Sequence, residues 1–175
     1  MTGMNIEKPP VDTARIRFTA GDSAFSNAIL FVTDALFCHS EAVMADGTIM
    51  SALADGSGVR RRPNDASSKA DVTRQQFVDL KMSHRQYQEW EYFLWDQNGK
   101  NYDTEGMDGE LLHKDWHSPD SYICSALMIT ALQKCKWLPS VFLCYPIYKI
   151  LPCMLLLGLE MDPRSIIYPI EYASA

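Results

Sequence analysis

Apolar side chains are most concentrated between residues 122 and 132, where they occupy every side of a predicted helix. A helix that is apolar all round is buried in a core rather than laid on a surface. Pro119 and Asp120 are typical of a helix start, and Ser121 is predicted to be the N-cap. Cys124 would then lie in the first turn, where the helix dipole and free backbone N–H groups favour a thiolate. A small apolar core residue is the other interpretation of Cys124.

A second pattern, in which apolar and polar residues alternate, surrounds Asp46-Gly47 and predicts a β-hairpin over residues 39–53. The register of this hairpin depends on the length of its loop. A two-residue turn would pair Ala42 with Ser51. A three-residue loop over residues 45–47, with its glycine in the left-handed conformation, would pair Glu41 with Ser51.

The three-residue loop would place three polar side chains, those of His39, Glu41 and Ser51, on one face of the hairpin. This follows because successive side chains of a strand point to opposite faces. The rest of the hairpin is largely apolar, so three polar residues on one face need an explanation. Either this face meets solvent, or it meets Cys124.

The remaining patterns predict a mixture of helices and strands in a single domain over residues 1–175, with a loose lead-in over 1–14. Strands are predicted over 14–18, 59–63, 77–82 and 166–172, and helices over 24–36 and 83–96. The apolar region 141–159 has the length of a membrane span, but two prolines and a lysine interrupt it. A buried helix followed by a turn is therefore predicted there, with membrane-surface contact as the alternative.

Charge and cysteine content limit the classes of function. The formal net charge of −6 argues against a nucleic-acid binder, which needs a broad basic surface. The five cysteines are odd in number and form no Cys-x-x-Cys pair, so they predict neither a disulfide framework nor a zinc site. Free thiols and the lack of a visible signal peptide predict a cytoplasmic protein.

The chemistry that these residues favour joins Cys124 to His39. A thiolate nucleophile needs a base to generate and hold it, and histidine is suited to that task near neutral pH. The imidazole in turn needs a group that orients it. Glu41 is the better acceptor because a carboxylate stabilises imidazolium, whereas Ser51 offers a neutral hydrogen bond. The sequence leaves the choice between them open.

Two further candidates lie between the hairpin and the cysteine. Tyr102, in a glycine-flanked loop, is positioned to donate to a developing oxyanion or to substrate, or else anchors the loop. His113 and His117 have the i, i+4 spacing of a shared metal site, but no obvious third ligand accompanies them. No metal and no cofactor is therefore expected.

Taken together, these motifs resemble those of the permuted papain-fold proteins of the NlpC/P60 superfamily, including its YiiX-like and lecithin:retinol acyltransferase-like branches. The shared pattern is a histidine that opens a strand, an Asp-Gly turn, a polar residue on the second strand and a downstream Cys-Ser-x-Leu at a helix start. In this chain the pattern comprises His39, Asp46-Gly47, Ser51 and Cys124-Ser-Ala-Leu127. Segments 58–63 and 99–104 also resemble a subgroup common in phages and prophages, and the resemblance spans residues 16–135.

The resemblance implies an α+β, circularly permuted papain-like fold, with an antiparallel sheet packed against the helix that carries the nucleophile. It implies a bacterial or phage thiol hydrolase, a peptidase or amidase, that acts on peptides or acyl amides and esters through an acyl-enzyme. Cys124 would attack, His39 would act as base and then acid, and backbone N–H groups would hold the oxyanion. Ser51 departs from the acid or histidine often found at the third position, so either Glu41 replaces it or the site is slow or inactive.

Two other functions remain compatible with the same resemblance. One is a lipid-directed thiol acyltransferase or thioesterase that uses region 141–159 as an acyl surface. The other is a binding module that keeps the fold without catalysis. The sequence gives neither the substrate nor the oligomeric state.

Overall fold

The computed structural model of the chain describes residues 6–64, 72–106, 118 and 120–173. In chain order, its strands are β1 (Thr13–Gly21), β2 (His39–Val43), β3 (Ile49–Leu53), β4 (Gly58–Arg62), β5 (Val72–Lys81), β6 (Asn101–Tyr102), β7 (Ser121–Tyr122), β8 (Ser165–Ile167) and β9 (Glu171–Tyr172). Its α-helices are α1 (Ala24–Thr33), α2 (His84–Asp96), α3 (Cys124–Lys134) and α4 (Pro152–Glu160), with 3₁₀ turns at Ser140–Phe142 and Ile147–Lys149.

An antiparallel sheet in the order β4-β3-β2-β1-β5-β8 forms the centre of the fold, and β9 also pairs with β5. The short strands β6 and β7 form a separate parallel pair. Helices α2 and α3 contact each other, α2 also contacts β1, and α3 also contacts β2 and β3. The predicted α+β class is confirmed.

The hairpin β2–β3 has the three-residue loop that aligns its polar residues. Gly47 has φ +86°, a left-handed conformation that glycine adopts without strain. The N–H of Gly47 donates to the carbonyl of Met44 at 2.8 Å. The strands pair Ala42 with Met50, and this register continues to place Glu41 opposite Ser51. The hairpin is thus as the sequence predicts, and its register is that of the three-residue loop, one of the two that the sequence leaves open.

The two faces of the sheet differ in chemistry although both are buried. On β1, Ala14, Ile16 and Phe18 alternate with Arg15 and Arg17, and every one of these side chains is buried. The apolar residues join the main core, which includes the inner faces of α2 and α3. The arginines point to the opposite face, because side chains alternate along a strand. Buried charges must be paired, so this polar face depends on salt bridges.

Helix α3 begins at Cys124, and the predicted N-cap at Ser121 is wrong. Ile123 occupies the N-cap position and provides no side-chain hydrogen bond. Ser121 instead belongs to β7, which pairs with Asn101 of β6, and its hydroxyl donates to the carbonyl of Ser118. Cys124 is therefore the first residue of the helix.

Two other predictions need correction. Helix α1 ends at Thr33 rather than at the predicted residue 36, because Asp34 adopts a left-handed conformation with φ 49°. Region 141–159 contains two 3₁₀ turns and most of α4 rather than one helix and a turn. Nowhere in the described ranges is there a helix with the length and apolarity to cross a membrane.

Asp79 of β5 tests how far the polar face depends on ion pairing. Its carboxylate is 1% exposed and accepts from Arg15 Nε at 2.6 Å, Arg15 Nη2 at 2.8 Å and the Tyr168 hydroxyl at 2.9 Å. Asp79→Asn leaves a buried guanidinium without its counter-charge, so we expect the free energy of unfolding to fall by about 3–5 kcal/mol. Urea unfolding followed by circular dichroism measures this change.

Glu89→Gln is the control, because Glu89 pairs with the exposed Arg85 one helical turn away. Its expected cost is at most about 0.5 kcal/mol. Equal losses in the two variants would show that burial of the Arg15–Asp79 pair is irrelevant to stability.

Candidate active site

A cavity of about 350 Å³ opens where the start of α3 meets β2, and it contains every candidate residue except Ser51. Cys124 lies at the first residue of α3 and is 1% exposed. His39 is the first residue of β2, and 23% of its side chain is exposed. The lining residues that bear on the chemistry are Cys124, His39, Glu41, Arg62 and Tyr102.

The imidazole of His39 is held by both predicted partners, in different ways. Its Nε2 atom lies 3.0 Å from the hydroxyl oxygen of Ser51 and 3.6 Å from Oε2 of Glu41. Only the first distance is that of a hydrogen bond. The Ser51 hydroxyl is also 3.0 Å from the carbonyl of Ser40, so it donates there and accepts from Nε2–H. Ser51 therefore orients the ring, and Glu41 supplies negative charge beside it.

With Nε2 facing Ser51 and Glu41, Nδ1 is the ring nitrogen left for the thiol of Cys124. Each of the two side chains acts on the pKa of the other. The structure thus brings together the four residues predicted from the sequence. The hairpin face that holds His39 turns toward Cys124 rather than toward open solvent.

Glu41 is a fully buried carboxylate between two guanidinium groups. Its Oε1 accepts from Nη1 of Arg17 at 2.6 Å, and its Oε2 accepts from Nη2 of Arg62. Arg17 is also fully buried and donates from Nε to Gln75 at 2.8 Å. Burial opposes the charge of Glu41, but His39 and the two arginines outweigh it and hold the pKa of Glu41 far below its usual range. The carboxylate is therefore a permanent anion.

The electrostatics of the site favour a thiolate–imidazolium pair. Burial disfavours the charged form of His39, but the adjacent thiolate of Cys124 and then Glu41 overcome it and raise the pKa of His39 to about 10. Burial likewise disfavours a thiolate at Cys124, yet the positive imidazole and hydrogen bonds from Ser40 lower the pKa of Cys124. At neutral pH each ion stabilises the other.

Two residues of the site were not identified from the sequence. Ser40 is fully buried and lowers the pKa of Cys124. Arg62 is the last of three consecutive arginines in the segment predicted as the strand 59–63. Arg60 and Arg61 are half-exposed, whereas Arg62 enters the site. Successive side chains of β4 point to opposite faces, so Arg61 and Arg62 lie on different faces of the sheet. This alternation is the sequence signal that could have identified Arg62.

Tyr102 lines the same cavity from β6. Its role as an oxyanion or substrate donor stays a prediction. The alternative metal pair, His113 and His117, lies outside the described residues.

Comparison with known proteins supports the fold. No protein-family model and no curated protein matches the chain. The crystal structure of the metalloprotein YiiX from Escherichia coli O157:H7, DUF1105, matches it with a TM-score of 0.57 and 18% sequence identity. The match covers 93% of this chain and 98% of the YiiX chain. The chain therefore has a YiiX-like fold over nearly its whole length.

The lowered pKa of Cys124 predicts selective alkylation at mildly acidic pH. Thiolate is the reacting form. It is present above the lowered pKa of Cys124 and lost as pH falls through that value, while the imidazolium persists until about pH 10. With iodoacetamide and peptide mass spectrometry, we expect Cys124 to react below pH 7, well under the ordinary midpoint of about 8.5. Cys135, whose pKa burial raises to about 11, serves as the internal control and stays unreacted.

The His39→Ala variant gives the matching test. Burial remains while the counter-charge is lost, so the alkylation midpoint of Cys124 should move to about 8.5 or above. An unchanged midpoint would mean that no thiolate–imidazolium pair exists in the wild type.

Proposed function

We propose that this protein is a cysteine hydrolase of the peptidase or amidase type, on a permuted papain-like fold of the NlpC/P60 superfamily. One observation carries the proposal: Cys124, at the first residue of a buried helix, lines the same cavity as His39, which Ser51 orients and Glu41 supports. Nucleophile, base and orienting group in this order are the parts that covalent acyl transfer requires. Peptides and acyl amides or esters are the proposed substrates.

In the acylation step, the Cys124 thiolate attacks the scissile carbonyl carbon and a carbon–sulfur bond forms. The carbonyl oxygen takes the negative charge, and the N–H groups at the start of α3, which no side chain caps, would donate to it. The imidazolium of His39 then gives its proton to the leaving amine or alcohol as the carbonyl–heteroatom bond breaks. A thioester on Cys124 and a neutral His39 remain.

Deacylation uses the change of charge that acylation causes. A thioester sulfur carries no negative charge, so the main interaction that raises the pKa of His39 is lost. The imidazole, now neutral and with a lower pKa, acts as the base and takes a proton from water. The resulting hydroxide attacks the thioester carbonyl. Release of the acid restores the thiolate, with the proton returned to His39. Glu41 remains an anion throughout and stabilises each imidazolium.

A metal does not fit this site, although YiiX is described as a metalloprotein. Within residues 6–64, 72–106, 118 and 120–173, no group of three or more His, Cys, Asp or Glu side chains is arranged to hold a metal ion. Both oxygens of Glu41 already accept hydrogen bonds from Arg17 and Arg62. No step of the proposed mechanism involves a metal.

An acyl ester with an apolar chain is the second candidate substrate, and helix α1 is the observation in its favour. The helix has no charged residue, and its outer face exposes 88% of Phe31 and 57% of Val32. The same helix lines the cavity with Ser26 and Ile29. Under this alternative α1, rather than region 141–159, is the acyl surface, since no residue of 141–159 lines the cavity.

Substitution of the two reacting residues tests the hydrolase proposal. Cys124→Ala removes the nucleophile and His39→Ala removes the base, so each should reduce kcat/KM by roughly 10²-fold or more. Turnover is measured on a panel of fluorogenic peptide amides and p-nitrophenyl acyl esters. Cys144→Ala, which changes an exposed cysteine outside the cavity, is the control and should behave as the wild type. Undiminished turnover in either folded site variant would refute the mechanism.

Flotation with phosphatidylcholine vesicles tests the acyl-surface candidate. Transfer of an exposed phenylalanine into lipid is worth about 1.5–3 kcal/mol, so Phe31→Ser should reduce vesicle binding by roughly tenfold or more. Tyr92→Ser changes another exposed aromatic residue, on α2, and should bind as the wild type does. A wild-type protein that stays in the aqueous fraction would eliminate this candidate and leave the peptidase proposal intact.

A further inference from the structure

Arg62 is the only arginine or lysine, among the described residues, that lines the cavity of Cys124 and His39. It is the last residue of β4, and 23% of its side chain is exposed. Its Nη2 donates to Oε2 of Glu41, the same oxygen that lies 3.6 Å from Nε2 of His39. One shared carboxylate oxygen therefore connects Arg62 to the catalytic imidazole.

The carboxylate that holds Arg62 is already balanced by another cation. Oε1 of Glu41 accepts from Arg17, and both of these side chains are fully buried. Two guanidinium groups thus bind the same carboxylate. Burial lowers the pKa of Arg17 and repulsion from Arg62 lowers it further, whereas Glu41 and Glu171 act in the opposite direction. Arg62 therefore shares its carboxylate with a second arginine.

Much of the donor capacity of Arg62 is also unused. A guanidinium has five N–H donors, and Nη2 is engaged by Glu41. The Nε–H of Arg62 is buried and has no acceptor in the part of the chain that the structure describes. The other carboxylate of the cavity, Asp55, is directed elsewhere: it accepts from Ser57 and forms an ion pair with Arg60 at 3.2 Å.

We propose that Arg62 is a specificity residue that binds a carboxylate carried by the substrate close to the scissile carbonyl. This inference rests on the proposed thiol chemistry and adds a substrate class to it: acidic peptides or acyl compounds. The two oxygens of a substrate carboxylate suit the donors of this guanidinium that Glu41 leaves unused.

Two alkylating agents of nearly equal size separate this role from the reactivity of the thiolate. Iodoacetate carries a carboxylate next to the reacting carbon, and iodoacetamide is its neutral counterpart. The ratio of their second-order rate constants at Cys124, read by peptide mass spectrometry at pH 7, reports recognition of the anion. The iodoacetamide rate alone reports the thiolate. Failure of the proposed function and failure of this inference therefore give different results.

We expect Arg62→Gln to lower the iodoacetate-to-iodoacetamide ratio by about tenfold, the size of one charge-assisted contact. Arg62→Met, which keeps the aliphatic stem, should give the same ratio and replaces the glutamine variant if that one does not fold. Arg62→Lys should retain part of the preference as a point charge. Arg61→Gln is the matched control, because Arg61 lies on the opposite face of β4 and pairs with Asp46.

An equal ratio in the wild type and in the neutral Arg62 variants would overturn the proposal, since the preference would then come from His39 alone. The proposal would also fail if both rates fell by the same factor, because Arg62 would then act through the thiolate as a positioning residue. If the iodoacetate-to-iodoacetamide ratio fell as much in Arg61→Gln as in Arg62→Gln, the preference would come from the overall positive charge of the surface. The proposal would then fail.

Discussion

The site depends on one buried carboxylate. Glu41 is fully inaccessible to solvent and is stable there as an anion because Arg17 and Arg62 bind its two oxygens. Burying an unpaired carboxylate would cost several kcal/mol, and the two guanidinium groups offset that cost. With its charge secured, Glu41 supports the imidazolium of His39, and the imidazolium supports the thiolate of Cys124. The reactivity of the cysteine thus originates on the polar face of the sheet.

This dependence explains why both faces of the sheet are buried. One face packs apolar residues of β1 against α2 and α3, which fixes the position of the helix start and of Cys124. The other face arranges arginines, carboxylates and amides across the strands, which fixes the position of His39. The cavity lies where helix α3 meets the first residue of β2. If the second face of the sheet were exposed, water and salt would screen these charges and weaken the thiolate–imidazolium pair.

The sequence predicts those parts of the site that local patterns determine. Asp46-Gly47 predicts the hairpin but leaves two loop lengths open, and the structure has the three-residue loop, which places His39, Glu41 and Ser51 on one face. The start of α3 was misplaced because Ser121 has the chemistry of a cap but is recruited by β6, a pairing that is distant in sequence. Arg62 was overlooked for a similar reason, since its salt bridge to Glu41 depends on strands β2 to β4 lying side by side. Helix α1 ends at Thr33 rather than at residue 36, because Asp34 adopts a left-handed conformation that hydrophobic periodicity does not reveal.

Each of five neighbouring strands contributes to the charge network: β4 supplies Arg62, β3 supplies Ser51, β2 supplies His39 and Glu41, β1 supplies Arg17 and β5 supplies Gln75. Residue 62 and residue 75 are far apart in the network and are joined through the three strands between them. In an unfolded or partly folded chain, Cys124 has neither a paired histidine nor a buried carboxylate near it, and its thiol is as inert as any ordinary cysteine. The interactions that lower the pKa of Cys124 therefore exist only when the sheet is complete. An unfolded copy of the protein lacks them, so the lowered pKa of this thiol is itself a marker of the native state.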